Sequence, residues 1–147
     1  MTKSCSEVIE YLKTQRIGVL TVEMLDGSPH GATVHFAHTD EPLVFYFETY
    51  REYRKAEPIL AQRTTRATFV IGVSEDDRKT LQLDGTLELI KPEEKGLFDR
   101  IYLGKFPDKL EKSKDPKSIF FKFTPHWWRF SDWTRKEGKL IIDSNLI

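Results

Sequence analysis

The chain has 147 residues, a length that suits one domain with a single core over 1–147. Lys plus Arg and Asp plus Glu number 23 each, so the formal net charge is zero, which argues against bulk electrostatic binding to nucleic acid or to an acidic membrane and leaves self-association unopposed. The single cysteine excludes an internal disulfide and a cysteine-paired metal site. No apolar run approaches the ~20 residues that span a bilayer, and residues 1–20 lack the apolar core of a signal peptide, so cytoplasmic residence is the default expectation.

In chain order, Ser4 or Ser6 is placed to cap a first helix that carries Val8, Ile9 and Leu12 at helical spacing and fades near Thr14. Ile17 to Met24 reads as a strand, Asp26-Gly27 as a hairpin turn, and Pro29 to His38 as the returning strand. On that second strand Ala32, Val34 and Phe36 share one face, and Thr33, His35 and Ala37 the other. The small residues Gly31, Ala32 and Thr33 leave room for a flat group against the backbone. His30, His35 and His38 do not read as a metal site: the spacing puts His35 and His38 on opposite faces, and no cysteine or helical histidine pair joins them.

Pro42 to Ile71 is the most informative stretch. Leu43 to Phe47 and Ala67 to Ile71 are aromatic and β-branched, as buried strands are. Between them Thr49-x-x-Glu52 fits a capping box that would start a helix at Tyr50. Pro58 opposes so early a start, because inside a helix it removes a hydrogen bond and clashes with the Arg54 carbonyl. A start nearer Tyr53 or Arg54 brings Pro58 within or close to the first turn and sets Arg54 and Lys55 at the helix mouth. Free backbone N–H groups and fixed positive charge at that mouth favour a phosphate. Thr49 reads equally as a cap or as a hydroxyl for the same phosphate.

Further on, Ser74 to Lys79 is a charged turn, and Thr80 to Ile90 alternates cleanly if Gly85 is a bend or bulge. Lys91-Pro92-Glu93-Glu94 opens a helix with the stripe Leu97, Phe98, Ile101 and Tyr102, ended by Gly104 to Pro107. Asp108 to Lys117 reads as a charged, mobile loop. Ser118 to Phe123 and Trp127 to Trp133 read as two strands separated by Thr124-Pro125-His126, and the tail 134–147 as ordered only through docking of Leu140-Ile141-Ile142. Six or so antiparallel strands with a few short helices make a mainly β, α+β domain of barrel type.

Four stretches together resemble the FMN-binding split-barrel proteins, the pyridoxamine 5'-phosphate-oxidase-like family, over roughly Val8 to Trp133. They are Ala32-Thr33-Val34-His35; Phe47-Glu48-Thr49 followed by Arg54-Lys55; Leu81 to Glu88 with its central Gly85; and Tyr102 to Pro107 followed by Phe120 to Asp132. The resemblance implies a six- to seven-stranded antiparallel split β-barrel with short flanking helices, a homodimer, and FMN in a groove between subunits. It implies an oxidoreductase with a small-molecule substrate or an electron donor such as NAD(P)H. By the same resemblance the backbone of Ala32, Thr33, Val34 and His35 meets the pyrimidine edge of the flavin. Phe47, Glu48, Thr49, Arg54 and Lys55 lead to and hold its phosphate, Gln82 contacts the cofactor, Trp127 or Trp128 reaches the flavin of the other subunit, and Arg129 neutralises flavin or substrate charge. Two positions depart from the family pattern: Tyr53 stands where a serine often precedes the basic pair, and Lys79-Thr80 where the vitamin B6 oxidase has Arg-Gln. Rival readings are a deazaflavin F420- or haem-binding barrel of the same fold, and a flavin-binding module without turnover.

Overall fold

The computed structural model describes residues 3–146. Helix α1 (Lys3–Lys13) begins ahead of both candidate caps, so Ser4 and Ser6 lie inside it. Strands β1 (Ile17–Glu23) and β2 (Pro29–His35) form the expected hairpin, with the Asp26 carboxylate accepting hydrogen bonds from Ser28 N and Oγ in the turn. The second strand stops short of His38. It breaks at Phe36, whose N–H donates to Arg16 O, and β3 (Ala37–Thr39) then pairs with β4 (Val44–Tyr50). A 3-10 turn, Arg54–Ala56, leads into α2 (Glu57–Gln62), followed by β5 (Thr64–Ile71) and β6 (Lys79–Leu89).

The segment after β6 is helical in pieces: a 3-10 turn Pro92–Glu94, α3 (Lys95–Phe98) and a π-helical turn Asp99–Leu103. The stretch expected to be a mobile loop is instead a 3-10 turn, Pro107–Lys109, and α4 (Leu110–Ser113). Pro107 presets the backbone of that first turn, and Ser118 Oγ donates to Lys112 O at 2.7 Å and ties down its end. Strand β7 (Ser118–Asp132) is one continuous element, not two. Pro125 does not break it because Pro125 sits at a bulge. Gly85 pairs with Pro125 and Asp84 with Trp127, so His126 is the extra residue and no regular ladder bond is asked of the proline. Only glycine fits opposite, since a Cβ on Gly85 would lie 2.2 Å from Thr124 O. The tail docks as anticipated: β8 (Leu140–Asp143) pairs with the end of β7, and Ile142 is buried.

All pairings are antiparallel, in the order β2-β1-β5-β6-β7-β4-β3, with β8 beside β7. The two end strands, β2 and β3, are joined through the single residue Phe36. A sheet whose ends are one residue apart has to curl back on itself, and it is left split where β2 faces β4. This is the mainly β, α+β split barrel that the sequence predicted, with eight strands because β3 and β8 are strands in their own right.

Strand β4 is covered on both faces, which is why it reads as a near-continuous apolar run. Phe45 and Phe47 point into the main core with Phe36, Phe69, Phe121 and Phe123, all fully buried with ring centroids 5.1–6.2 Å apart among neighbours. Each such ring removed from water is worth about 2–3 kcal/mol. Tyr46 on the other face packs into a second cluster with Phe98, Tyr102 and Phe106. Those helical pieces therefore roof β4 beside the split.

Candidate functional site: a basic slot along a free strand edge

Strand β2 is bonded to β1 on one side only, from Ile17↔His35 to Glu23↔Pro29. Its other edge, toward β4, has no strand partner, so alternate backbone N–H and C=O groups along Ala32, Thr33, Val34 and His35 are left for something else. Val34 points inward and is buried; Thr33 and His35 point outward and are exposed.

The 3-10 turn that opens at Arg54 packs against β2. The late helix start is correct: Tyr53 is extended, the turn follows it, and Pro58 falls in the first turn of α2. Thr49 is not the cap. It lies in β4, 1% exposed, with its Oγ1 free of any hydrogen-bond partner. Arg54 is exposed, whereas Lys55 is half-buried with its Nζ 4.7 Å from the centroid of the Tyr53 ring. The Tyr53 ring thus holds the lysine. Burial, and then the neighbouring Lys112, depress the Lys55 pKa.

Lys109 and Lys112, from the 3-10 turn and α4 that follow β6 and its helical pieces, join this set. Lys112 Nζ lies over Tyr50 at 4.9 Å, and Lys109 Nζ is 3.3 Å from His35 Nδ1. Their spacing of three on one helical face was the available signal. Among the described residues none of Arg16, Arg54, Lys55, Lys109 and Lys112 makes an ion pair, whereas Lys95, Lys122, Arg66, Arg129 and Arg135 all do. A chain of zero net charge therefore gathers several cations in a strip along the split with no ion pair to any of them, while Asp26, Glu48 and Asp108 act on them by charge from farther off.

Glu48 sits under this strip, 6% exposed, on the face of β4 that carries Tyr46. Ser118 Oγ is 3.2 Å from Glu48 Oε1 but 2.7 Å from Lys112 O, and Glu48 Oε2 has no partner. Burial raises the Glu48 pKa, against the pull of Ser118 and of Lys112, Lys109 and Lys95. Phe47 is fully buried in the core and supplies shape to the strand, not a contact surface.

Gln82, Trp127 and Arg129 form a second group. Gln82 pairs with Arg129 and Asp84 with Trp127, so these side chains share the outer face of β6 and β7, and Arg129 Cζ lies 5.3 Å from the Trp127 ring. Trp128 points the other way, into its own core, 8% exposed. Register carries one outer row from β2 to β7: Thr33, Val19, Val70, Gln82, Arg129. Three to four strand spacings at about 4.8 Å put Gln82 and Arg129 roughly 14–19 Å from Thr33. One chain therefore does not bring the slot and the outer group together. Among the described residues no cluster of three or more His, Cys, Asp or Glu could hold a metal ion, and no helix is long and apolar enough to cross a membrane.

Comparison with known proteins bears on this geometry. Solved structures share the fold at low identity. A candidate pyridoxamine 5'-phosphate oxidase from Listeria innocua is 22% identical, with 87% of this chain and 98% of that chain covered and a TM-score of 0.70. A protein of the pyridoxinephosphate oxidase family related to general stress protein 26, from Clostridium acetobutylicum, is 17% identical over 98% of this chain and 96% of that one, at 0.68. A heme-binding protein from Mycobacterium smegmatis is 11% identical over 97% of this chain and 58% of that one, at 0.76. No curated protein matches the sequence. At these identities the structures speak for the fold alone, but the family pattern for pyridoxamine 5'-phosphate oxidase matches residues 4–132, a span that holds both the basic slot and the outer group. The chain belongs to the pyridoxamine 5'-phosphate oxidase family.

Proposed function

We propose that this protein is an FMN-binding oxidoreductase that works as a homodimer, with the cofactor phosphate at Arg54 and Lys55. The observation that carries this reading is the unpaired cationic turn packed against the free edge of β2. A phosphate monoester with close to two negative charges suits a guanidinium and an ammonium that make no ion pair, although Asp26 lies near enough to feel Arg54. The orphan hydroxyl of Thr49, buried at the end of β4 shortly before that turn, and the vacant edge of β2 fit the same ligand.

Bound FMN would supply the hydride or electron transfer, so the chain itself need supply no nucleophile or strong base. The chain's own tasks are to hold a phosphate, to line a flat ring with strand backbone and to exclude water from one of its faces. Gln82, Trp127 and Arg129 lie too far from the slot to serve the same ring in one chain, so a second copy would bring them there. Lys79 and Thr80 differ from the vitamin B6 oxidase at both positions, so the assignment is to a reaction class and not to pyridoxamine phosphate.

Haem is the second reading, favoured by the fold shared with the mycobacterial heme-binding protein. The absorption spectrum of the purified protein separates the two: blue and near-ultraviolet bands for flavin, an intense Soret band for haem. Mass analysis of the released ligand completes the identification. Arg54→Ala combined with Lys55→Ala is expected to weaken FMN binding at least tenfold, about 1.4 kcal/mol, in a fluorescence titration. Unchanged affinity would move the phosphate elsewhere. Flavin that binds but is never reoxidised with consumption of a donor such as NAD(P)H would leave a carrier in place of an enzyme.

A further inference from the structure

Lys105 follows the π-helical turn and reaches the junction that joins β2 to β3. Its ammonium donates to Gln15 O at 2.6 Å and to Phe36 O at 2.9 Å. Its Nζ also lies 4.2 Å from the centroid of the Phe36 ring and 5.4 Å from that of Phe106. These contacts hold a side chain that would otherwise sample many rotamers, so the half-buried nitrogen is presented at one place.

A clamp between the helical pieces and the barrel would account for the two carbonyl bonds, but not for the space beside the amine. Lys105 forms part of the wall of an open void of about 370 Å3. Ala37 and Ile101 give that void an apolar side. Nothing stands within 4 Å of the position that a Cβ on Gly104 would take, so the approach is clear next to the lysine. Four further wall residues carry or can carry charge: Lys13, His38, Asp40 and Arg100. Asp40 is shared between Lys13 at 4.0 Å and His38 at 3.2 Å. Burial holds the His38 pKa below its usual value, against the pull of Asp40. Arg100 is exposed and makes no ion pair among the described residues. Two fixed cations thus stand against one carboxylate around a void with a lysine amine in its wall. Burial, and then Arg16, pull the Lys105 pKa down to about 8.

We propose that Lys105 is a nucleophilic lysine, acylated by a small acyl phosphate that enters the void with its phosphate toward Arg100 and Lys13. The ammonium first gives one proton to water. The two N–H groups that remain stay on Gln15 O and Phe36 O, which leaves the lone pair for the third direction. The nitrogen attacks the acyl carbon. A C–N bond forms, the bond from that carbon to the phosphate oxygen breaks, and phosphate leaves with the surplus proton of the nitrogen. The product amide keeps a single N–H, so one of the two carbonyl bonds is lost and the junction of β2 and β3 is loosened. The step needs no cofactor and stands apart from the flavin reading.

The test treats the full-length protein with acetyl phosphate at pH 8 and follows acetylation of each lysine by peptide mass spectrometry. Lys105 is expected to react at least about tenfold faster than the exposed Lys114 and Lys136, because a half-buried amine gives up its proton more readily than one in water. Arg100→Gln and Lys13→Gln should each slow this reaction about threefold or more, through loss of a charge-assisted contact to the phosphate. Neither residue is among the groups that depress the amine, so both variants should keep the wild-type rate at Lys105 with the uncharged reagent p-nitrophenyl acetate. A Lys105 no faster than the surface lysines with either reagent overturns the nucleophile. A fast reaction that ignores both substitutions overturns the acyl phosphate as its reagent. Acetylated protein that melts at the temperature of the unmodified protein overturns the loosening of the junction.

Discussion

Glu48 carries a carboxyl that the fold leaves half-satisfied. The Ser118 hydroxyl has one proton to share between Glu48 Oε1 at 3.2 Å and Lys112 O at 2.7 Å, and Glu48 Oε2 has no partner, so an ionised Glu48 is only partly satisfied. Burial raises its pKa. The sign of the linkage follows. A carboxyl whose folded pKa lies above its unfolded value favours the folded state at low pH, and that advantage is lost as pH rises through the usual carboxylate range to the raised value. Glu48→Gln, neutral at every pH, is therefore expected to melt higher than the wild type at pH 8, with the gain closing toward pH 4. A melting difference that is flat with pH would mean that the carboxyl is protonated in neither state or matched by its lysines in both. At this scale sequence and structure agree unevenly. Arg54, Lys55 and the late helix start were legible because Pro58 forbids the alternative. Lys109 and the orphan oxygens were not, because their meaning comes from partners 70 and more residues away, as with the His35–Lys109 contact across 74 positions.

At the scale of elements, β7 does most of the joining. Along one edge it pairs with β6 from Phe121 to Asp132, and along the other with β4 at its start and β8 at its end. Proline and a polar tripeptide signalled a break in the sequence, yet a bulge absorbs them, and a bulge needs both strands to be known. The docked tail was legible, since Leu140-Ile141-Ile142 is the one apolar run after Trp133. Ile142 pairs with Phe130 and packs with the core, while Arg135 clasps Glu7 at 2.9 Å and Asp132 at 3.1 Å. The arginine of both pairs is exposed and such pairs are usually worth little, although Asp132 is itself buried, so most of the stability of the tail is expected from the isoleucine. Ile142→Ala is expected to cost about 2 kcal/mol, at the low end for a buried isoleucine because β8 is an outer strand. The measurement is the urea midpoint at unchanged m value. A loss below ~0.5 kcal/mol would show that β8 rides on the domain without stabilising it.

At the scale of the whole molecule, the question is what covers the outer face of the sheet. Along β2, β1 and β5 the outward residues Gly31, Thr33, Val19, Thr21, Thr68 and Val70 form an uncharged patch, bordered by the Glu23–Arg66 ion pair and by Asp84, with Gln82 and Arg129 farther along. Zero net charge leaves no general repulsion between copies. A two-fold dimer is isologous, so each residue of the patch is presented twice, and a charge introduced at its centre enters the interface twice. Val70 is that centre, half-buried between Val19 and Gln82. On a monomer, Val70→Glu is a surface change and should alter folding stability by no more than about 0.5 kcal/mol. On the proposed dimer it sets two carboxylates in a desolvated contact, and sedimentation should then show monomer where the wild type shows dimer. Because Gln82, Trp127 and Arg129 would serve the partner's slot, the same substitution should lower FMN affinity at least tenfold without touching a residue of the slot itself. Dimers that persist with full FMN affinity in Val70→Glu would place the subunit contact on another face, and with it would remove the reason for assigning Gln82, Trp127 and Arg129 to the cofactor.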